Sequence, residues 1–187
     1  YIMALTKTPV CKFGKKAEDF KLKSINNKVI SLNDIKGEKA TLIMFICNHC
    51  PYVKAIIKDL AKDCKELSDE GISSVAIMSN DTKNYPEDSF DNMIKFAQNN
   101  NFGNINYLFD ETQEIARKYG AVCTPDFFGY NRKLELQYRG RYRELKDLKP
   151  INNGDSDLKI AMKIVAQTQR GPDQQIPSMG CNIKWFN

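Results

Sequence analysis

A run of apolar and β-branched residues at positions 40–46 constrains the fold more than any other feature of the sequence. Strands that are buried on both faces of a sheet have this unbroken pattern. Apolar residues then recur at three- and four-residue steps as far as Gly71, which predicts a helix directly after the strand. A second apolar run at 72–78 predicts another buried strand. This order of strand, helix and strand predicts a parallel crossover.

Helices and strands continue to alternate downstream. The predicted elements are a helix that begins at Pro86, a strand at 105–109, a helix at 112–119 stopped by Gly120, a hairpin of 127–130 with 134–138, and a helix at 155–169. Short extended pieces at 13–38 precede them, and we expect the apolar tail at 171–187 to pack on the body. The sequence therefore predicts an α/β fold with a central mixed β-sheet flanked by helices, an N-terminal β extension and a packed C-terminal tail.

The composition is that of a globular protein, because 42% of the 187 residues are hydrophobic and 27% are charged. This length favours a single domain over residues 1–187. No apolar run approaches the ~20 residues that cross a bilayer, so we expect no membrane partner. The net charge is +5, and the basic cluster at 139–143 accompanies no nucleic-acid-binding motif. Nucleic acid is therefore not an expected partner.

The N-terminus shows no charged segment followed by an apolar block, so no secretory signal is visible. Met3 is the expected natural start, and the cytoplasm is the expected location. Clustered cysteines in a cytoplasmic protein indicate metal binding or catalysis, and irregular spacing argues against a disulfide framework. The six cysteines are Cys11, Cys47, Cys50, Cys64, Cys123 and Cys181.

Cys47 and Cys50 lie where the predicted strand ends and the helix begins. A thiol at a helix start meets free backbone N–H groups, which favour the thiolate and lower its pKa. The thiolate is the species that attacks a disulfide. Cys50 lies one helical turn further on, and Pro51 stands where a missing N–H costs least. We therefore predict that Cys47 is an exposed nucleophile and that Cys50 is a buried resolving thiol.

His49 is the only histidine of the chain. A protonated imidazole between the cysteines would stabilise the Cys47 thiolate over the disulfide and raise the reduction potential. The alternative is an exposed histidine with little effect. A zinc site would need two more ligands, which Cys123 and Cys181 supply only if they fold nearby. The sequence therefore favours a site without a metal ion.

The motif Cys-Asn-His-Cys-Pro at 47–51 resembles thioredoxin-like redoxins of the AhpC/TSA group. It is most similar to small bacterial proteins described as thioredoxin family or thiol-disulfide isomerases. The resemblance extends over nearly the whole chain, through segments at 14–22, 79–81, 84–89, 120–128 and 177–185. It implies a thioredoxin-like fold. It also makes Asn48, inside the motif, an auxiliary site residue.

The resemblance further implies that Thr124 and Pro125 form a cis-proline loop that faces the dithiol and pairs with an extended substrate. Cys123 would then lie near the dithiol, either as a third redox thiol or as a small core residue. Cys181, between Gly180 and Asn182, is expected in a loop as a reachable thiol. Relatives often place a buried carboxylate where this chain has Thr41 and Val53. The candidates to replace it are Asp81, Glu111 and Asp126.

The leading hypothesis is a thiol–disulfide oxidoreductase that needs no cofactor. It would exchange with protein or small-molecule disulfides and thiols, and a thioredoxin or glutathione system would donate electrons. One alternative is a peroxiredoxin-like thiol peroxidase, although the chain lacks the Pro-x-x-x-Thr/Ser-x-x-Cys pattern around the pair. Another is a non-catalytic thioredoxin-like binding module. The direction of electron flow stays open.

Overall fold

A mixed seven-stranded sheet forms the centre of the computed structural model, which describes residues 4–103 and 105–187. Met3, the expected natural start, lies outside the described residues. The strands are β1 (Leu5–Lys7), β2 (Lys21–Ser24), β3 (Val29–Ser31), β4 (Ala40–Phe45), β5 (Ile72–Met78), β6 (Asn106–Phe109), β7 (Cys123–Thr124), β8 (Asp126–Asn131), β9 (Leu136–Tyr138), β10 (Leu145–Lys146), β11 (Lys149–Pro150) and β12 (Met179–Asn182). The helices are α1 (Leu32–Ile35), α2 (Pro51–Lys54), α3 (Ile57–Asp69), α4 (Phe90–Asn99), α5 (Glu114–Tyr119) and α6 (Asp157–Thr168).

The strand order of this sheet is β3-β2-β6-β5-β4-β8-β9. Strand β4 pairs with β5 in parallel and with β8 antiparallel, and β5 pairs with β6 in parallel. All six residues of β4 are buried, which is why its sequence shows no alternation. The predicted central mixed sheet is confirmed.

Two hydrophobic cores cover the two faces of the sheet. Successive residues of β4 point to opposite faces, so Leu42 and Met44 pack with one core while Ile43 and Phe45 pack with the other. The first core includes the inner faces of α3, α4 and α6, and the second includes those of α1 and α5. Helices therefore flank the sheet on both sides, as predicted.

Two predicted helices start differently in the structure. The helix after β4 is divided into α2 and α3, which are separated by Ala55 and Ile56. Pro86 begins a 3-10 turn (Pro86–Asp88) instead of a long helix. Helix α4 starts only after Ser89, whose hydroxyl accepts a hydrogen bond from the backbone N–H of Asn92 and so provides the cap.

The C-terminal tail packs on the body through a second, three-stranded sheet of order β1-β12-β7. Cys181 therefore lies in a strand, and its predicted place in a loop is wrong. Strand β1 belongs to this second sheet, whereas β2 and β3 extend the main sheet. Ile183 is fully buried, and the Arg117 guanidinium lies 4.3 Å from the ring centroid of Trp185. None of the helices in the described residues has the length and apolar character that a membrane span needs.

Candidate functional site

Three cysteine sulfurs meet where the ends of β4, β7 and β12 come together. Cys50 Sγ lies 3.0 Å from Cys181 Sγ and 3.2 Å from the carbonyl oxygen of Thr124. Cys47 Sγ lies 3.4 Å from the Thr124 hydroxyl, and the neighbouring Cys50 sulfur affects its pKa. None of these three cysteines forms a disulfide within the described residues. The structure therefore brings Cys47 and Cys50 together and adds Cys181 to them.

The predicted exposure and position of Cys47 are wrong. Cys47 is 1% exposed and Cys50 is fully buried. The helix begins at Pro51, with Cys50 as its N-cap, because proline fits the first helical position, where its missing N–H has no partner to lose. The sulfur that meets a free backbone N–H, that of Val53, thus belongs to Cys50.

The lowered pKa belongs to Cys50 and not, as predicted, to Cys47. Hydrogen bonds from the Cys181 and Cys47 thiols and from the Val53 N–H stabilise the Cys50 thiolate and hold its pKa well below the usual range. Burial raises the pKa of Cys47 well above its usual range, and the Asp88 charge adds to this. The surroundings of the two thiols thus favour the thiolate form of Cys50 over that of Cys47.

The peptide bond between Thr124 and Pro125 is cis, as the resemblance implies. Strand β12 pairs antiparallel with β7 beside it, in a register that places Cys181 opposite Thr124. The Ser178 hydroxyl also donates a hydrogen bond of 2.8 Å to the Pro125 carbonyl. The tail of the chain thus occupies the backbone edge on which the resemblance places a substrate.

Cys123 is close to this cluster but faces away from it. It is fully buried, and its sulfur lies 3.6 Å from the carbonyl oxygen of Pro125. Burial raises the pKa of the Cys123 thiol, and the neighbouring Asp126 charge raises it further. Of the two predicted roles, these contacts favour that of a small core residue.

His49 forms the more exposed side of the motif. Its Nδ1 donates a hydrogen bond of 2.6 Å to Asp88 Oδ2, and its ring stacks on Tyr85 at a centroid distance of 5.8 Å. The hydrogen bond to Asp88 and the charge of that carboxylate raise the pKa of His49 above its usual value. The side chain is only 19% exposed. The alternative of a freely solvated histidine is therefore wrong.

Asp88 also fixes the backbone between the two cysteines. Its Oδ1 accepts a hydrogen bond of 2.7 Å from the Asn48 N–H, and its Oδ2 accepts one of 2.9 Å from Asn80 Nδ2. The Asn48 side chain donates to the Glu87 carbonyl and accepts from the Tyr107 hydroxyl. Asn48 therefore holds the motif in position from inside the core.

The carboxylate beside the cysteines is one that the sequence analysis missed. Asp81 caps a local turn by accepting from Asn84, Asp126 forms a buried ion pair with Arg139, and Glu111 is exposed. Asp88 instead is fully buried and lies next to Cys47 and His49. Its segment, 84–89, was part of the resemblance, but nothing in its pattern identified this acid as the buried one.

Three groups near Cys47 are of types that bind metals. Cys47 Sγ, a ring nitrogen of His49 and a carboxylate oxygen of Asp88 lie within 4.8 Å of one another. Asp88 Oδ2, however, already accepts hydrogen bonds from His49 and Asn80. A metal ion would have to displace His49 from Asp88, so the arrangement fits a hydrogen-bonded group better than a metal site.

A groove of about 540 Å³ runs beside the cis-proline. Tyr52 of α2, Pro125 and the tail residues Ile176 and Met179 line it, and both tail side chains are well exposed. A larger cavity of about 820 Å³ lies at the opposite end of the sheet, where β5 begins at Ile72. Only the first of these two is adjacent to the sulfur cluster, so it is the one that offers space for a substrate.

The profile of the AhpC/TSA family matches residues 13–142. This stretch contains the two cysteines of the motif and the cis-proline loop. The chain belongs to the AhpC/TSA family. The part of this AhpC/TSA protein that carries α6, β12 and Cys181 lies beyond the matched residues. No curated protein matches the chain.

Two solved structures resemble almost the whole AhpC/TSA chain. An uncharacterized conserved protein from Geobacillus kaustophilus is 39% identical, with a TM-score of 0.93 over 98% of this chain and 97% of that one. A hypothetical protein from Sinorhizobium meliloti 1021 is 35% identical, with a TM-score of 0.89 over 97% of this chain and 98% of that one.

A third structure establishes the thioredoxin-like fold. The thioredoxin domain of a thiol-disulfide oxidoreductase from Bacteroides vulgatus is 17% identical, with a TM-score of 0.57 over 68% of this chain and 86% of that one. At this identity the likeness concerns the fold alone. The chain is thus a redoxin of the AhpC/TSA family with a thioredoxin-like fold, as predicted.

Proposed function

We propose that the chain is a thiol–disulfide oxidoreductase in which Cys47 and Cys50 alternate between dithiol and disulfide. The observation that carries the proposal is that both sulfurs contact Thr124: Cys47 Sγ lies 3.4 Å from its hydroxyl and Cys50 Sγ lies 3.2 Å from its carbonyl oxygen. Two thiols held against the same residue exchange a bond with little movement of the chain. An intact dithiol in this setting also argues against a module that only binds.

Cys47 is the sulfur that attacks the substrate. The partly exposed residue of the motif is His49, and its ring lies within 4.8 Å of Cys47 Sγ, so a disulfide that approaches from this side meets Cys47 first. Cys47 forms a bond to one substrate sulfur, and the other substrate sulfur leaves as a thiolate. The Cys47 proton passes to the neighbouring Cys50 thiolate, while the His49 imidazolium offsets the charge on Cys47.

Cys50 then resolves the mixed disulfide. It gives its proton to the departing thiolate, attacks Cys47 Sγ and releases the second substrate thiol. The substrate gains two electrons from the dithiol and two protons, one from Cys47 and one from solvent, and the chain keeps a Cys47–Cys50 disulfide. The contacts that hold the Cys50 pKa low also keep Cys50 available for this step.

The substrates we propose are protein disulfides, with small-molecule disulfides as a second class. The groove beside Pro125 is lined by apolar tail residues and by charged residues of both signs, which suit an extended peptide of mixed character. A dithiol electron donor, such as a thioredoxin or glutathione system, would return the chain to its reduced state.

The test equilibrates the full chain with glutathione buffers of graded ratio, blocks free thiols and maps disulfides by mass. We expect a Cys47–Cys50 disulfide in the wild type and in the matched control Cys123→Ser. Cys47→Ser and Cys50→Ser should lose both this disulfide and the reduction of a disulfide-bonded test protein. Failure of the wild type to form the bond at any ratio would sink the proposal. Rapid oxidation of Cys47 by hydrogen peroxide, without a Cys47–Cys50 bond, would favour a thiol peroxidase.

A further inference from the structure

Neither the fold nor the packing of the tail requires a thiol at position 181. Its sulfur lies 3.0 Å from Cys50 Sγ, only about 1 Å beyond the length of a disulfide bond. The two residues are 131 positions apart in the chain, and β12 brings them together. This contact is closer than the one between Cys47 and the Thr124 hydroxyl in the same cluster.

The backbone around Cys181 holds this position tightly. Strand β12 is the middle strand of its sheet, and it pairs with β1 on one side and with β7 on the other. Cys181 lies opposite Thr124 of β7 and opposite Leu5 of β1. Gly180 lets the two backbones approach, because a Cβ there would lie 2.0 Å from the Thr124 carbonyl oxygen. The sulfur is thus presented to Cys50 by a fixed strand.

Cys123 provides a contrast within the same sheet. It lies on β7, opposite Asn182 of β12, and is as deeply buried as Cys181. Its sulfur, however, contacts the carbonyl oxygen of Pro125. Proximity of a buried cysteine to the cluster therefore does not by itself direct its sulfur to Cys50, and the placement of Cys181 is specific.

We propose that Cys181 is a third redox residue, which exchanges with the Cys47–Cys50 disulfide to form a Cys50–Cys181 disulfide. The inference rests on the dithiol function proposed above. Cys181 loses its proton and attacks Cys50 Sγ, a Cys50–Cys181 bond forms, and the Cys47–Cys50 bond breaks. Cys47 leaves as a thiolate and takes up the proton that Cys181 released. No electrons are gained or lost in this step, which moves the disulfide from the motif to the tail.

The consequence is that oxidation of the dithiol becomes linked to the tail strand. Once the bond has moved, Cys47 is again a thiol. The disulfide then joins Cys50, at the start of α2, to Cys181 in β12. A dithiol donor then reduces the Cys50–Cys181 bond: it gives up two electrons and two protons and becomes a disulfide itself. Cys181 would thus separate the sulfur that meets the substrate from the bond that the donor reduces.

The decisive variant is Cys47→Ser, because Cys50 then has Cys181 as its partner. The full-length variant is oxidised in glutathione buffers of graded ratio, its free thiols are blocked, and its peptides are mapped by mass. We expect a Cys50–Cys181 disulfide in Cys47→Ser. In the double variant Cys47→Ser/Cys181→Ser, Cys50 should instead carry only glutathione. Cys47→Ser/Cys123→Ser is the matched control and should retain the Cys50–Cys181 bond.

The outcomes separate this inference from the proposed function. If the wild type forms Cys47–Cys50 while Cys47→Ser forms no Cys50–Cys181 bond at any ratio, the third-thiol inference is overturned and the dithiol function stands. If the wild type forms no Cys47–Cys50 bond at any ratio, the dithiol function fails, and the third-thiol inference fails with it. The wild type serves as the second measurement, because it does not depend on how the variant folds. Peptides joined through Cys50 and Cys181 should be found in it and should disappear in Cys181→Ser.

Discussion

At the scale of single residues, the charge of the reduced cluster is the property with the most direct consequence. Thiol donors and a helix N–H hold the Cys50 pKa well below its usual range. We therefore predict that thiolate absorbance in the ultraviolet persists in the reduced protein below pH 7 and is lost only as the pH falls through this lowered pKa. Cys50→Ser should show no thiolate at neutral pH, because burial raises the pKa of each of the other thiols above its usual value.

Cys64→Ser is the control for this titration, because burial raises the pKa of Cys64 to about 12 and it carries no thiolate near neutral pH. Its low-pH absorbance should equal that of the wild type. If the thiolate absorbance of the wild type were lost near the pKa of an ordinary thiol, the assignment of the thiolate to Cys50 would be contradicted.

The buried acid Asp88 gives a second prediction at this scale. In Asp88→Asn, the His49 pKa should fall toward about 6.5, since its partner charge is lost. The free energy of unfolding should fall by about 2 kcal/mol. The NH2 group of the new asparagine cannot accept the hydrogen bonds that Asn48, His49 and Asn80 donate to Asp88, so at least one of these donors loses its partner. As His49 is the only histidine, an NMR titration of its ring reads the pKa without assignment.

The pH dependence of this loss has a definite sign. The pKa of His49 is raised in the folded chain, so the stability that its charge contributes is fully present below about pH 6.5 and is lost as the pH rises through the folded value. Asp88→Asn should therefore cost more at pH 5.5 than at pH 9. Asp91→Asn, which removes an exposed acid nearby, should change neither the pKa nor the stability by much. An unchanged His49 pKa in Asp88→Asn would refute the argument.

The residues that the sequence could and could not identify differ in a physical way. Cys47, Cys50 and His49 are adjacent in the chain, so a motif reveals them. The contact of Cys50 with the tail joins residues 131 positions apart, and the helix start depends on Pro51 rather than on the end of β4. Asp88 reaches the motif only because a 3-10 turn after β5 directs it inward, and no local pattern encodes that contact.

At the scale of elements, strand β12 depends on the absence of a side chain at Gly180. In Gly180→Ala the new Cβ would lie 2.0 Å from the Thr124 carbonyl oxygen, and backbone cannot move aside as a side chain can. We predict a loss of about 1–3 kcal/mol in unfolding free energy and faster alkylation of Cys50, because β12 no longer seats against β7. Denaturant unfolding and mass-detected alkylation measure the two effects.

Gly154→Ala is the matched control, because its Cβ would meet only the Asn152 side-chain oxygen, at 3.3 Å, in an exposed loop. It should leave both the stability and the alkylation rate near wild-type values. Equal alkylation of Cys50 in the two variants would show that β12 does not control access to the cluster.

The elements themselves were predictable where the pattern is local. The predicted strand at 72–78 has the bounds of β5, and the strand at 40–46 differs from β4 by one residue, because full burial leaves a clear apolar run. Strands β1 and β12 were not identified as strands. Each pairs only with residues far away in the chain, so neither carries the alternation or the turn residues of a hairpin.

At the scale of the whole molecule, the two disulfides of the proposed exchange should differ in their effect on stability. A Cys47–Cys50 bond closes a very short loop, whereas a Cys50–Cys181 bond joins residues 131 positions apart. Loop-closure entropy makes the long-range bond the more stabilising, by about 3 kcal/mol, which is on the order of 10 °C in Tm for a chain of this size. Against no bond, the same relation gives about 5 kcal/mol for the long-range bond, so oxidised Cys47→Ser should melt roughly 10–20 °C above its reduced form.

The double variant Cys47→Ser/Cys181→Ser removes this bond and should melt at one temperature under both conditions. If oxidised and reduced Cys47→Ser melted together although the bond was present, the tail would already be constrained in the unfolded chain. By linkage, a bond that stabilises the fold is itself stabilised by the fold, and about 5 kcal/mol corresponds to roughly 110 mV. The Cys50–Cys181 couple should thus be harder to reduce in the native chain than in denaturant, which ties the redox chemistry of the cluster to the folding of the tail.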